Sequence, residues 1–177
     1  MSSTLLLDEI QIRRIINRLA HEIIEKNSGC ANLAFVGIKR RGLPLAQRLA
    51  QVMESVEGIQ VACYEIDITP YRDDHKKQPL QNSGPTSSEI TGKTVVLVDD
   101  VLHTGRTVRA ALDGVMKWGR PERIQLAVLI DRGHRELPIR PDFVGKNIPT
   151  SKMENIEVEI KEIDGKDQVT LSKPSDS

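Results

Sequence analysis

Two adjacent carboxylates, Asp99 and Asp100, stand directly after the apolar run Val95-Val96-Leu97-Val98 and directly before Val101-Leu102-His103-Thr104-Gly105-Arg106-Thr107. Three of the four apolar residues are β-branched, which suits a strand buried on both faces, and the periodic stretch from Val108 to Met116 suits a helix. The acids and hydroxyls therefore fall at a strand-to-helix turn, outside the carboxyl end of a strand, where open α/β sheets bind ligands. A helix N-terminus offers unpaired N–H groups and a positive dipole end, so an anion suits it. Thr104 and Thr107 add hydroxyl donors, Gly105 admits close backbone approach, and Asp99 and Asp100 can accept from vicinal sugar hydroxyls. These residue types predict a site for a phosphate monoester carried on a diol sugar.

Further charges fall at the same end of the predicted sheet. Lys39, Arg40 and Arg41 follow the strand-like Leu33-Ala-Phe-Val-Gly-Ile and end at Gly42, so they offer donors where leaving-group oxygens could lie. Tyr71 and Arg72, followed by Asp73 and Asp74, head a polar stretch to Gly92 with no helical or strand period. Loops of that length inside a compact domain are functional or disordered, and a lid over residues 71–92 is the expectation here. Positioning and preorganised electrostatics can do most of the work at such a site without a covalent nucleophile, and no Ser-His-Asp or Cys-His arrangement contradicts this. A Mg²⁺ ion held mainly by ligand oxygens and water, with sparse help from Asp99 and Asp100, fits such a site.

The positioning elements follow from periodicity. Asp8 and Gln11 form a capping pair, and Ile12, Ile15, Ile16, Leu19, Ile23 and Ile24 make one apolar stripe of a helix ending near Asn27 and Gly29. A helix from Leu43 to Glu54, a strand from about 60 to 68, a strand over 94–100, a helix over 107–118 stopped by Gly119 and a strand over 124–130 then alternate. That order argues for a parallel sheet flanked by helices. Segments around Asp142-Phe143-Val144, Ile156 to Ile163 and Gln168 to Leu171 predict short strands, with Asp164-Gly165 as a turn, forming a small hood within residues 131–172. The tail from Lys173 is expected to fray.

At 177 residues, with Lys plus Arg equal to Asp plus Glu at 25 each, one domain over 1–177 is expected, without a global basic field. Any nucleic-acid surface must be local. Cys30 and Cys63 lack metal-ligand spacing and read as reduced thiols, which points to the cytoplasm. The opening residues lack a basic n-region, and no apolar run approaches the roughly 20 residues needed to span a bilayer, so no membrane partner is expected.

Residues 95–108 resemble the phosphoribosyl-pyrophosphate signature of the type I phosphoribosyltransferases. Four further runs narrow the resemblance: 36–42, 66–74, 131–140 and 145–151. With them the chain is similar, from about Leu7 to Leu171, to the bifunctional pyrimidine-operon attenuation regulator and uracil phosphoribosyltransferase family. The resemblance implies a type I phosphoribosyltransferase fold that converts uracil and phosphoribosyl pyrophosphate to UMP and pyrophosphate. Asp99, Asp100 and Arg72 would be catalytic. The substrate would meet Lys39, Arg40, Arg41, Gly42 and Tyr71 and the turn Val101, Leu102, His103, Thr104, Gly105, Arg106 and Thr107. Uracil would lie under 131–138 with Val128 or Ile130 nearby and Arg132 or Arg135 at the mouth.

The same resemblance implies a homodimer or higher oligomer that senses UMP or UTP and grips a messenger RNA hairpin of a pyrimidine operon. The carried-over RNA positions are Arg18, His21, Lys26, Arg135, Arg140 and Lys146, which offer phosphate donors and stacking planes. Three residues depart from the family pattern: Arg40 where Thr is usual, His103 where Tyr or Phe is common, and Lys26 where Arg is frequent. Two other readings compete. A nucleotide-sensing regulator without activity is disfavoured by the intact acid pair, and a purine phosphoribosyltransferase without an RNA role is disfavoured by the resemblance of 131–138.

Overall fold

The computed structural model describes residues 2–72 and 84–174. Helix α1 (Glu9–Lys26) starts where Asp8 Oδ1 accepts the Gln11 N–H at 2.8 Å and Gln11 Oε1 accepts the Asp8 N–H at 2.9 Å. Its buried side chains are Ile12, Ile16, Leu19, Ala20 and Ile23. Burying a large aliphatic side chain is worth about 1.5–3 kcal/mol, so this stripe fixes which face turns inward.

The remaining helices and strands alternate as expected. Strand β2 (Leu33–Ile38) leads to α2 (Gly42–Glu57) and β3 (Ala62–Ile66), then to a 3-10 turn at Thr69–Tyr71 and a short helix α3 (Ser87–Ile90). Strand β4 (Thr94–Leu102), helix α4 (Arg106–Trp118), strand β5 (Arg123–Asp131) and strand β6 (Phe143–Asn147) follow. The main sheet has the order β3-β2-β4-β5-β6 with every pairing parallel. Helices α1 and α2 cover one face, and α4 covers the other. Central β4 is thus sandwiched, which explains its run of β-branched residues.

A second, antiparallel sheet forms the hood. It has the order β1-β8-β7 and joins Ser2–Leu7, Gln168–Lys173 and Asn155–Glu159, with the short helix α5 (Lys161–Asp164) between β7 and β8. Leu7, Ile156, Val158, Ile160 and Val169 pack into the cluster built by α1 and α2, so hood and sheet share one apolar layer.

Several expectations change. Residues 143–147 belong to the main sheet and not to the hood, because β6 pairs in parallel with β5 from Ala127↔Phe143 to Asp131↔Asn147. The strand ends at Glu159, Ile160 caps the next element, and 161–164 is a helical turn closed by Gly165 at φ +80°. The hood takes its third strand from the N-terminus, which sequence reading left unassigned. Lys173 pairs with Ser2, so strand structure reaches that residue. Half of the expected lid, 73–83, lies outside the described residues, and its described end, 84–92, holds α3, capped by Thr86 and Glu89.

Candidate active site

The acid pair sits inside the end of β4, where Val101 and Leu102 still pair with Ile130 and Asp131. Asp99 is 8% exposed, and its Oδ1 accepts the Asp100 N–H at 2.9 Å. Asp100 is half-buried, and its Oδ1 accepts the Val101 N–H at 2.7 Å. Burial, and then the neighbouring charge of Asp100, push the Asp99 carboxyl well above the usual range. Sugar hydroxyls or a hard cation would relieve that cost. Among the described residues no group of three or more His, Cys, Asp or Glu could cage a metal, so a cation here must take most of its oxygens from a ligand.

The phosphate turn is shaped by one glycine. Gly105 has φ +94° at the start of α4, and a Cβ there would lie 3.0 Å from Ile139. The segment after β5 folds back onto this turn. Arg132 N donates to the Leu102 carbonyl at 3.0 Å, and Glu136 N and Leu137 N donate to the Thr104 carbonyl at 2.9 and 3.1 Å. Arg106 Nε meets Glu136 Oε1 at 2.8 Å on the exposed side. Thr104 Oγ1 accepts the Arg106 N–H at 3.2 Å, and Thr107 lies exposed in the first turn of α4. Two stretches far apart in sequence, 95–107 and 131–140, thus make one structure.

Within that segment Arg132 and Arg135 turn inward. Arg132, 6% exposed, donates from Nε to Thr150 Oγ1 at 3.2 Å and from Nη2 to the Glu154 carbonyl at 2.7 Å. It ties β5 to the approach of β7. Arg135 donates to the Ile139 carbonyl at 2.9 Å, the His103 carbonyl at 2.8 Å and Asp131 Oδ2 at 2.6 Å. His103 and His134 stack edge to face with centroids 6.1 Å apart, and His134 Nε2 bonds the Thr150 carbonyl. Burial, and then the Arg132 charge, pull the His103 imidazole below its ordinary value. Val128 and Ile130 are fully buried, but in different layers: Val128 with α4 and Ile130 beneath the hood.

The basic turn rests on β4 through another glycine. A Cβ on Gly42 would lie 2.3 Å from the Val98 carbonyl, so only glycine lets the turn touch the strand one residue before the acid pair. Lys39 N donates to the Ile66 carbonyl at 2.9 Å, its Nζ lies 3.9 Å from Asp67, and the Lys39–Arg40 peptide is cis. Lys39 and Arg40 are exposed. Arg41 is not: its Nε and Nη2 donate to both carboxylate oxygens of Asp164 in α5, at 3.1 and 2.9 Å. The Tyr71 ring lies against α4, where a Cβ on Gly114 would be 2.9 Å away, and Arg72 is exposed at the border of the described residues. Asp164 and Thr150, which hold Arg41 and Arg132, carry no site signal in the sequence; Asp164-Gly165 reads there as a turn that names no partner.

The RNA candidates are spread over α1, β6 and the loop after β5. Helix α1 packs on β6, and Arg18 donates from Nη2 to the Gly145 carbonyl and from Nη1 to Glu22 at 2.8 Å. His21, Lys26, Arg140 and Lys146 are exposed, with His21 Nδ1 bonding the Asn17 carbonyl at 2.8 Å. Arg135 is separate from them, spent inside the loop over the phosphate turn.

A parallel sheet with paired acids and an anion-ready turn at its carboxyl end, under a hood, is the architecture of a phosphoribosyl transferase domain, and the family model of that description matches residues 2–163. The fold is shared with the hypoxanthine phosphoribosyltransferase of Trypanosoma cruzi, at TM-score 0.74, 18% identity and 97% coverage of both chains. A hypoxanthine phosphoribosyltransferase from Staphylococcus aureus gives TM-score 0.72 at 19% identity, covering 97% of this chain and 92% of that one. More specifically, the chain belongs to the family of relatives named Bifunctional protein PyrR. The relative from Halalkalibacterium halodurans is 56% identical over 176 residues, 97% of this chain and 98% of its own length. That from Clostridium perfringens is 58% identical over 169 residues, covering 94% and 95%. Among the described residues no helix is long and apolar enough to cross a membrane.

Proposed function

We propose that this chain transfers the ribose 5-phosphate of phosphoribosyl pyrophosphate to uracil, and that it also regulates a pyrimidine operon by binding an attenuator hairpin when uridine nucleotide fills the same site. The observation that carries the transferase half is the half-buried and buried acid pair, Asp100 and Asp99, beside a phosphate turn clasped by 131–140. The regulatory half is supported by the high-identity relatives, whose name is bifunctional, and by the exposed basic residues along α1 and β6.

In the transfer, the bond from the anomeric carbon to pyrophosphate breaks and a bond to a uracil nitrogen forms, with that nitrogen losing its proton to solvent. The residues act by placing charge. The turn 102–107 holds the 5-phosphate through backbone N–H groups and hydroxyls. Asp99 and Asp100 accept from the ribose hydroxyls and favour positive charge developing on the sugar. Lys39 and Arg40, with Arg72 from the lid border, neutralise the leaving pyrophosphate. The residues fit a Mg²⁺ arriving with phosphoribosyl pyrophosphate: Asp99 and Asp100 would hold it sparsely, and when bound it supplies charge neutralisation of the pyrophosphate. A cytoplasmic homodimer, or a larger assembly of it, completes the proposal.

Asp100→Asn is the test of this reading. It keeps the shape of the side chain and removes its charge, so kcat/KM for uracil transfer drops about a hundredfold or more while the thermal midpoint stays near the parent's. An unchanged kcat/KM takes Asp100 out of the site.

A further inference from the structure

Arg41 and Asp164 join the basic turn to the hood across 123 residues of sequence. The contact is a fork on a fork: Nε to Oδ2 at 3.1 Å and Nη2 to Oδ1 at 2.9 Å, with side chains 29% and 18% exposed. Asp164 is itself fixed, because its Oδ2 also accepts the N–H of fully buried Ile160 at 2.7 Å. The bond to Asp164 first, and then the charges of Asp100 and Glu157, favour the charged guanidinium. A bidentate guanidinium–carboxylate contact fixes orientation as well as distance.

We infer that Arg41 and Asp164 are positioning residues for the pyrophosphate side of the site: Asp164 clamps Arg41, and the clamped turn holds Lys39 and Arg40 where a leaving pyrophosphate meets them. The inference rests on the transferase reading above and goes beyond it, since it takes Arg41 off the ligand and gives the hood a part in binding phosphoribosyl pyrophosphate. The backbone supports the division of labour. Gly42 is pressed against Val98 and Lys39 N is bonded to Ile66, so both ends of the turn are tied to the sheet while Arg41 ties its middle to the hood.

The test is a double-mutant cycle on the Mg²⁺-supplied enzyme with Asp164→Asn, Arg41→Gln and the pair together. Arg41→Lys joins the set because it keeps the charge but cannot fork. Asp164→Asn should raise KM for phosphoribosyl pyrophosphate about tenfold and leave KM for uracil within about twofold, a split that general loosening would not produce. Arg41→Lys should match it, and the double variant should be no worse than either single change. UMP binding by calorimetry and the thermal midpoint report whether each variant is folded; should Asp164→Asn fail to fold, Arg41→Lys carries the test alone.

The inference is overturned if KM for phosphoribosyl pyrophosphate does not move in Asp164→Asn or in Arg41→Lys. It is equally overturned if Arg41→Gln costs far more than Asp164→Asn and the two effects add, since Arg41 is then a ligand. A parent that transfers to no base at all is a different result: it removes the transferase reading and this inference with it.

Discussion

Arg135 Nη2 and Asp131 Oδ2 meet at 2.6 Å, and the same guanidinium holds the His103 carbonyl inside the phosphate turn. This contact makes the loop after β5 and the turn after β4 one unit. Arg135→Ala should cost about 2 kcal/mol, lowering the thermal midpoint by roughly 4–8 °C, because the Asp131 carboxylate and two carbonyls lose their donor. Affinity for UMP should fall with it, and RNA retention only as far as UMP affinity falls. A variant with the parent's midpoint and UMP affinity but no RNA binding would return Arg135 to the RNA surface.

Asp99 should trade stability for function. Its folded carboxyl is raised, so the folded chain keeps that proton to higher pH than the unfolded chain. The stability from this group is full below the ordinary carboxylate pKa and is lost as pH rises through the raised value. Asp99→Asn should therefore melt about 2–4 °C above the parent at pH 8 while losing transfer activity. Thermal melts of both proteins from pH 4 to 8 check this; an Asn variant that is less stable at pH 8 contradicts it.

Much of this site was readable before the fold was known, and the reason is locality. The acid pair, Gly42, Gly105 and the Asp8–Gln11 cap all declare themselves through neighbours within a few residues. Strand β6 did not, because Phe143-Val-Gly-Lys-Asn is too short to show which sheet it joins, and its parallel pairing with β5 is a long-range fact. Strand β1 is exposed over most of its length and has no alternating pattern to reveal it. Arg132, Arg135 and Arg41 look like surface cations in sequence. Their targets, Thr150, the His103 carbonyl and Asp164, are set by tertiary structure alone.

His103 gives a second pH signature. Its pKa is lowered, first by burial and then by Arg132, so its contribution to stability is present above the ordinary imidazole pKa and is lost as pH falls through the folded value. His103→Phe should flatten the fall in thermal midpoint below about pH 6.5. Identical pH dependence in parent and variant would remove His103 as its source.

The basic face should separate from catalysis. His21 lies exposed on α1 and Arg140 lies exposed at the end of the loop over the phosphate turn, so substitution of either by Ala should weaken hairpin retention, and His21→Ala should leave transfer at the parent rate. Loss of a phosphate contact should also reduce the salt dependence of binding by about one counterion's share. Filter retention across a salt series decides between the outcomes, and unchanged retention in both variants places the RNA surface elsewhere. Arg18→Ala is a different case, because Arg18 also bonds β6 and its loss should lower the thermal midpoint too.

Pyrophosphate release from phosphoribosyl pyrophosphate and Mg²⁺, measured with uracil, hypoxanthine, guanine and adenine in turn, bears on the whole account. Release with uracil at least about a hundredfold faster in kcat/KM than with any purine is the expected result, given a base site that hydrogen-bonds one ring's donors and acceptors. Release with a purine and none with uracil would contradict it and make the chain a purine transferase.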